Sequence, residues 1–463
     1  MQSPDILQGD IKKCLFYLSV PLVCSMFMDT FNTIIDALWL GKSSTEALAA
    51  VNLAAFPIWM MYAVMGIVCV GVNSLLAQKI GEASISPKNQ SDADAVASLG
   101  IGMSLCLGVI LAAGVIWKGR SLLAFMAGPD SPLVDLGYSY LAFIFLFAPI
   151  YSLSEVLMAI LRAHGDTKTP MHAYFIGCGL NIVLDPLFIF GWGPIPRWDI
   201  LGAALASNVA FLIATLWMLW LIGRGRLKYR LPASRQRCFS WSIIGSILRI
   251  GSPPALASCV FSAVYMLLSP TISSFGTPAV AAIGIGHKLE SATYLFCYGV
   301  AMACVTMIGQ NIGARQYERA KAIAWTGVRF ALLFSSALGL LFWLSPEPLT
   351  ALFSSDPNVL SEANNYVTIL APAQLFAGVC VLIDGIFAGV GKTWPCMCVS
   401  IPCSLMRVPI AYWVTYHLNA GVSGVWIAIS AMCILRGAIM ACLFVGGVWE
   451  QDESKAVPAQ APV

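Results

Sequence analysis

Charge is scarce in this sequence. Asp, Glu, Lys and Arg make up 11 % of its 463 residues, where a soluble domain carries roughly 25 %. So little charge cannot cover a water-facing surface at this length, which excludes a soluble domain. The motifs of nucleotide and hydrolytic chemistry are missing as well. No GxxxxGK[ST] phosphate loop occurs, so this chain carries no ATPase, and neither G-x-S-x-G nor HExxH is found. The 15 cysteines are scattered through apolar segments, where packing accounts for them. Cys396 and Cys398 stand close together, but without the spaced Cys and His pairs of a zinc site. The chain is therefore not expected to be an enzyme, to hold a cofactor, or to bind nucleic acid.

What fills the sequence is apolar: 59 % of residues, with a mean hydropathy of +0.80. A helix needs about 20 apolar residues to cross a bilayer. Residues 95–117 and 291–314 contain no charge at all. Twelve spans are expected, near 13–41, 47–77, 95–117, 133–161, 170–193, 200–223, 244–272, 279–308, 322–343, 357–389, 394–416 and 422–447. Pro21, Pro57, Pro149, Pro253 and Pro270 sit inside spans, so bent helices are expected. With the N-terminus inside, the inner loops and tails carry 17 Lys and Arg against 4 in the outer loops. The positive-inside rule then places both termini in the cytoplasm of a multi-pass inner-membrane protein. Met1–Asp10 is polar, and no cleavable signal peptide is expected.

The sequence repeats itself. TEALAAVNLA (45–54) resembles TPAVAAIGIG (277–286), SLLAQKIGE (74–82) resembles TMIGQNIGA (306–314), and Pro21 in LSVP matches Pro253 in IGSP. All three matches share an offset of 232 residues. GDTKTP (165–170) pairs with GKTWP (391–395), and GAALA (202–206) with GVWIA (424–428), at slightly shorter offsets. Because each repeat holds an even number of spans, both halves enter the membrane in the same orientation. They are related by a pseudo-two-fold axis along the membrane normal. The expected organisation is all-α: a six-helix lobe over 1–223, a basic cytoplasmic linker over 224–243, a second six-helix lobe over 244–447, and a polar tail over 448–463. Two such lobes suit alternating access around a substrate held near the midplane.

Acids in hydrocarbon cost at least about 2.5–3.5 kcal/mol each, so each one is a functional candidate. Six lie deep in spans: Asp29, Asp36, Glu155, Asp185, Glu290 and Asp384. Asp29, Asn32, Thr33 and Asp36 follow the i, i+3, i+4, i+7 spacing of one helix face. Such a stripe faces a cavity or another helix, although Asp36, close to the expected span end, also reads as a polar cap. Asn181 and Asp185 share a face of the fifth span, and Pro186 frees the carbonyl of Ile182. An amide, a carboxylate and a free carbonyl suit a hard cation or a proton, or else a hydrogen-bonded pair that locks helix packing. Glu290 reads equally as a cation ligand or as the neutraliser of a nearby base, and Glu155 as either functional or structural. Asp384 and Arg407, in neighbouring spans, are expected to pair. Gln78 and Gln310 read as inner-end caps. Leu268, Ser404 and Val408 stand where the second half would repeat Asp36, Asn181 and Asp185, so the carboxylate cluster belongs to the first half.

These residues carry a family resemblance. LSVP, IIDALWLG (34–41), TEALAAV, LRAHGDTKTP (161–170), NIVLDPLFIFG (181–191), GAALAS (202–207) and MIGQNIGA (307–314) occur in the order found in MATE (multidrug and toxic compound extrusion) transporters. The resemblance covers about residues 12–447 and is nearer to the DinF-type branch. It implies an antiporter, acting as a monomer without an ATPase partner. Such a carrier expels organic cations or other amphipathic compounds against inward H⁺ or Na⁺. It also implies that Asp36, Asn181 and Asp185 form the ion site and that Ser207 contributes a hydroxyl; Pro21 is the expected hinge of the first helix. Asp29 lies outside the matching motifs. The rival readings are a lipid-linked oligosaccharide flippase of the same superfamily, disfavoured by the few bases in spans, and an intramembrane lipid-modifying enzyme, disfavoured by short loops. A channel is disfavoured by the unequal lobes.

Overall fold

A computed structural model describes residues 5–86, 89–128, 131–191, 196–225 and 240–450. Most of the expected linker (226–239) and of the expected tail (451–463) lies outside the described residues. The described chain is helical throughout. The first half forms α1 (Ile11–Ser43), α2 (Thr45–Ile85), α3 (Gln90–Ala127), α4 (Leu133–Leu146), α5 (Ala148–Ala163), α6 (Lys168–Phe190) and α7 (Asp199–Gly223). The second half forms α8 (Trp241–Ser273), α9 (Thr277–Gly313), α10 (Tyr317–Leu344), the short α11 (Pro346–Thr350), α12 (Pro357–Val390), α13 (Trp394–Tyr416) and α14 (Ser423–Val445).

Eleven of these helices are long and apolar enough to cross a membrane. The twelfth span is the pair α4 and α5, bent by 49° at Phe147. Pro149 explains that break: it lies in the first turn of α5, where a missing N–H costs nothing. The helices run without interruption through Pro21, Pro57, Pro253 and Pro270, because neighbouring groups re-satisfy the freed carbonyls. Thr393 Oγ1, for instance, donates at 2.7 Å to the Ile250 carbonyl, which Pro254 of α8 leaves free.

α1 starts, and α2, α5, α9 and α12 end, on the face that carries Lys12, Lys13, Lys79, Arg315, Arg319 and Lys392. On this basic face the two halves interlock. Gln78 Nε2 donates to the Gly389 carbonyl at 3.0 Å, and its repeat mate Gln310 Nε2 donates to the Ala163 carbonyl at 2.7 Å. Ser74 Oγ donates to the Ala388 carbonyl, and Thr306 Oγ1 to the Arg162 carbonyl at 3.1 Å. The expectation that Gln78 and Gln310 are end caps is therefore overturned. α2 continues to Ile85, and both amides reach across the lobe boundary.

Glycines make this crossing close enough. A Cβ on Gly81 would sit 2.1 Å from the Gln310 carbonyl oxygen, and one on Gly313 would sit 1.9 Å from that of Gln78. The contact is self-complementary, since residue i of one repeat meets residue j of the other and the reverse. α2 also crosses α8 at Gly251, whose Cβ would meet the Ile67 carbonyl oxygen at 1.8 Å.

α1 belongs to both lobes. Its first turns bury Cys14, Leu15 and Leu18 in one apolar cluster with Cys297, Ala301, Cys304 and Ile383 of the second half. Before it, the Ile6 carbonyl accepts from Arg319 Nη2 at 3.1 Å and from Asn311 Nδ2 at 3.4 Å. Farther along, Gly299 of α9 lets Val23 approach so closely that a Cβ would lie 2.5 Å from Val23 Cγ2. Beyond that crossing α1 packs against α6 of its own half.

Candidate functional site

The α1–α6 contact brings the predicted polar residues together. Asn32 Nδ2 donates to Asp36 Oδ2 at 3.1 Å and to Asn181 Oδ1 at 2.8 Å. Asn181 Nδ2 in turn donates to Asp185 Oδ1 at 3.1 Å and to Ser207 Oγ of α7 at 3.4 Å. The carboxyl groups of Asp36 and Asp185 are close enough to interact electrostatically. Helical spacing places each partner: 32 and 36 are one turn apart on α1, and 181 and 185 one turn apart on α6. α1 runs on to Ser43, so Asp36 lies about two turns inside the helix. Its side chain does not cap anything; it faces α6.

The cluster is under-satisfied. Asp36 Oδ1, Asp185 Oδ2 and Asn32 Oδ1 are buried without a hydrogen-bond partner. Asn181 and Asp185 are each 1 % exposed. No ion pair to Asp36 or Asp185 is found among the described residues. Two unit charges at close approach repel by on the order of 4 kcal/mol at an effective dielectric of 20. The amides supply hydrogen bonds but no positive charge. Carboxylate, amide and hydroxyl oxygens are the donor types that suit a hard cation, and a proton between the carboxyls would serve the same balance.

The other candidates are placed elsewhere. Asp29 sits about two turns nearer the basic face and accepts from the Tyr174 hydroxyl at 3.1 Å. Tyr174 is a partner that sequence reading missed. Its signal was its spacing, seven residues before Asn181 on the same face of α6. Asn32, secondary to Asp36 by sequence, proves central because it bridges α1 to α6. Glu155 lies on α5, outside the Asp36 cluster. Glu290 accepts from the Tyr366 hydroxyl at 3.3 Å, in the second lobe.

Asp384 does not pair with Arg407. It binds Arg436 Nη2 at 2.7 Å. The reason is packing: α12 lies against α14, which carries Arg436, whereas α13 packs against α8 and α14. Sequence order misled here, because neighbouring spans need not be neighbouring helices. The pair is part-buried, its side chains 20 % and 36 % exposed, so removing one member costs less than the roughly 3–5 kcal/mol of a fully buried pair, yet still leaves the other charge uncompensated. Arg436→Gln is therefore expected to lower the unfolding temperature markedly in detergent. The double variant Arg436→Gln/Asp384→Asn should recover most of the loss in the same melting assay. A double variant as unstable as the single one would remove the pairing explanation.

Comparison with known proteins agrees with this architecture. The MatE family profile matches residues 21–187 and 253–413, one segment in each half. A probable multidrug resistance protein NorM of Thermotoga maritima is 27 % identical over 443 residues, covering 96 % of this chain and 94 % of its own. An FAD transporter of Shewanella oneidensis is 27 % identical over 449 residues, covering 95 % of each. A solved structure described as the outward-facing conformation of a multidrug resistance MATE family transporter superposes with a TM-score of 0.89 at 25 % identity, covering 98 % of this chain and 99 % of that one. With matches in both halves and twelve apolar spans, this chain belongs to the MatE family of multi-pass membrane transporters and is not an enzyme.

Proposed function

We propose that this protein is a cation-coupled antiporter that exports organic cations, drugs or other amphipathic compounds across the inner membrane by alternating access. The observation that carries this reading is the under-satisfied Asp36–Asn32–Asn181–Asp185 cluster, with Ser207 beside it. H⁺ or Na⁺ is the coupling ion that its oxygen atoms suit. Relatives named as a multidrug resistance protein and as an FAD transporter support export of bulky amphipathic cargo. The acidic cluster in the first lobe is the arrangement implied by the resemblance to the DinF-type branch.

The interlock on the basic face gives the cycle its starting point. By the positive-inside rule that face is cytoplasmic, so the two lobes are closed against each other on the inside. A cation entering from outside settles between α1 and α6 and cancels the repulsion of Asp36 and Asp185. α1 then changes its lie on α6, pivoting at Pro21, between the site and the end anchored in the second lobe. Because Leu15 and Leu18 are packed among α9 and α12 residues, that movement is transmitted to the other half. Cargo leaves, the interlock opens, and the ion is released to the cytoplasm.

The test is efflux of a fluorescent organic cation from proteoliposomes of the purified protein under an imposed ΔpH or ΔNa⁺. Stimulation by one gradient is expected. If neither gradient stimulates it, coupling is refuted and the oligosaccharide flippase becomes the better reading. That rival would need several bases facing the cavity, and Arg436 is already engaged by Asp384.

A further inference from the structure

The second lobe holds the inverse of the carboxylate cluster. At the repeat-equivalent positions stand Leu268, Ser404 and Val408, and beside them on α13 lies Arg407, 4 % exposed. Its Nε and Nη1 are buried with no hydrogen-bond partner, and it makes no ion pair among the described residues. Its guanidinium carbon lies 5.3 Å from the ring centre of Phe261 and 6.0 Å from that of Tyr265, one turn along α8. His287 of α9 meets Tyr265 edge-on at 4.9 Å. Glu290, one turn beyond His287, is near enough to feel the charge of Arg407. It takes its hydrogen bond from Tyr366 instead.

This is an unusual way to keep a buried cation. The same lobe shows the ordinary way in Asp384–Arg436. Aromatic faces attract a guanidinium, but here Nε and Nη1 are left without acceptors, and an unmet buried donor is destabilising. A planar N–H fork matches a carboxylate. Glu290, with its opposite charge, would repel a simple anion and attract a cation. Opposite charges that do not touch each other, with aromatic rings beside them, are complementary to a molecule that carries both charges and a ring.

We propose that Arg407, Glu290, Phe261, Tyr265 and His287 together bind aromatic zwitterions, carboxylate on Arg407 and cationic end toward Glu290. The proposal rests on the export reading and narrows its cargo. It also divides the work between the lobes. The first binds the driving ion, and the second discriminates cargo by its acidic group.

The test uses the full-length protein in detergent and two probes, a rhodamine with a free benzoate and the methyl ester of the same dye. Binding is read by fluorescence polarisation. The wild type is expected to bind the acid more tightly than the ester. Arg407→Gln should weaken the acid by roughly tenfold, as loss of one charge-assisted hydrogen bond implies, and leave the ester unchanged. Glu290→Gln should weaken both dyes. If Arg407→Gln yields too little folded protein, Phe261→Ala at a 40 % exposed position serves instead. It should weaken both dyes, and no effect on either would overturn the proposal. Equal affinity of the wild type for acid and ester, or a parallel loss of both in Arg407→Gln, also overturns it. Failure of the wild type to bind either dye would instead strike at the export reading, leaving the two failures distinguishable.

Discussion

Asp36→Asn is expected to abolish the stimulation of efflux by an ion gradient while leaving gradient-independent exchange of cargo in place. The substitution keeps the side chain's size and its neighbour Asn32, and removes one negative charge from the cluster. Without that charge the site no longer needs a cation, so ion and cargo stop communicating. Coupling energies between two sites are typically about 1–3 kcal/mol, or five- to 150-fold, and the stimulated rate should fall by a factor in that range. Asp185→Asn should do the same. The double variant should be no worse than either single one, because the two carboxyls act as one site and their effects do not add. Asp29→Asn is the contrasting case. Its carboxylate is held by Tyr174 apart from the cluster, so gradient stimulation should persist. The measurement is dye efflux from proteoliposomes under ΔpH and under ΔNa⁺. Efflux by Asp36→Asn that still follows the gradient would end the assignment.

Gly313→Val is expected to abolish transport by a different route, through the interlock on the basic face. Even a lone Cβ at this position would lie 1.9 Å from the backbone oxygen of Gln78. Backbone cannot rotate away as a side chain can, so α2 and α9 must separate. Separation also breaks the Gln78–Gly389 and Gln310–Ala163 hydrogen bonds, each contributing about 0.5–1.5 kcal/mol. Gly81→Val should act alike, since Gly81 meets the Gln310 oxygen at 2.1 Å by the same repeat symmetry. Hydrogen exchange reads this directly. Amides of 74–82 and 306–314 should exchange at least about tenfold faster in Gly313→Val, as local opening becomes cheaper by about 1.4 kcal/mol or more. Gly114→Val, where a Cβ meets nothing within 4 Å, is the control and should change neither exchange nor transport. Unchanged protection in Gly313→Val would mean that this crossing does not hold the lobes closed.

The cluster was partly legible because hydrocarbon penalises charge so strongly. Asp36 and Asp185 stood out against apolar helices, and periodicity showed that Asn32 and Asn181 share their faces. Periodicity within one helix says nothing about which helix it meets, so the bridge from Asn32 to Asn181 was invisible. So was the role of Tyr174, an ordinary interfacial residue until Asp29 is placed beside its hydroxyl. The Asp384–Arg407 expectation failed for the same reason. Spans adjacent in the chain are not adjacent helices here: α12 meets α14 and leaves Arg407 to the aromatic rings of α8.

Composition and repeat alone determine that this chain crosses a membrane in two similar halves. Burying apolar surface in lipid and pairing every backbone group leaves no other class of structure for it, and an offset of 232 residues can be read without coordinates. Which residues meet across the halves is another matter. The repeat places Gln78 with Gln310 and Gly81 with Gly313 as equivalents, but only packing shows each facing the other's backbone rather than capping its own helix. α1, counted wholly within the first half by its position in the chain, turns out to be anchored in the second half by Ile6, Leu15 and Leu18. The cause is geometric: a helix displays all its faces at once, and the sequence records which face is polar but not which neighbour fills it.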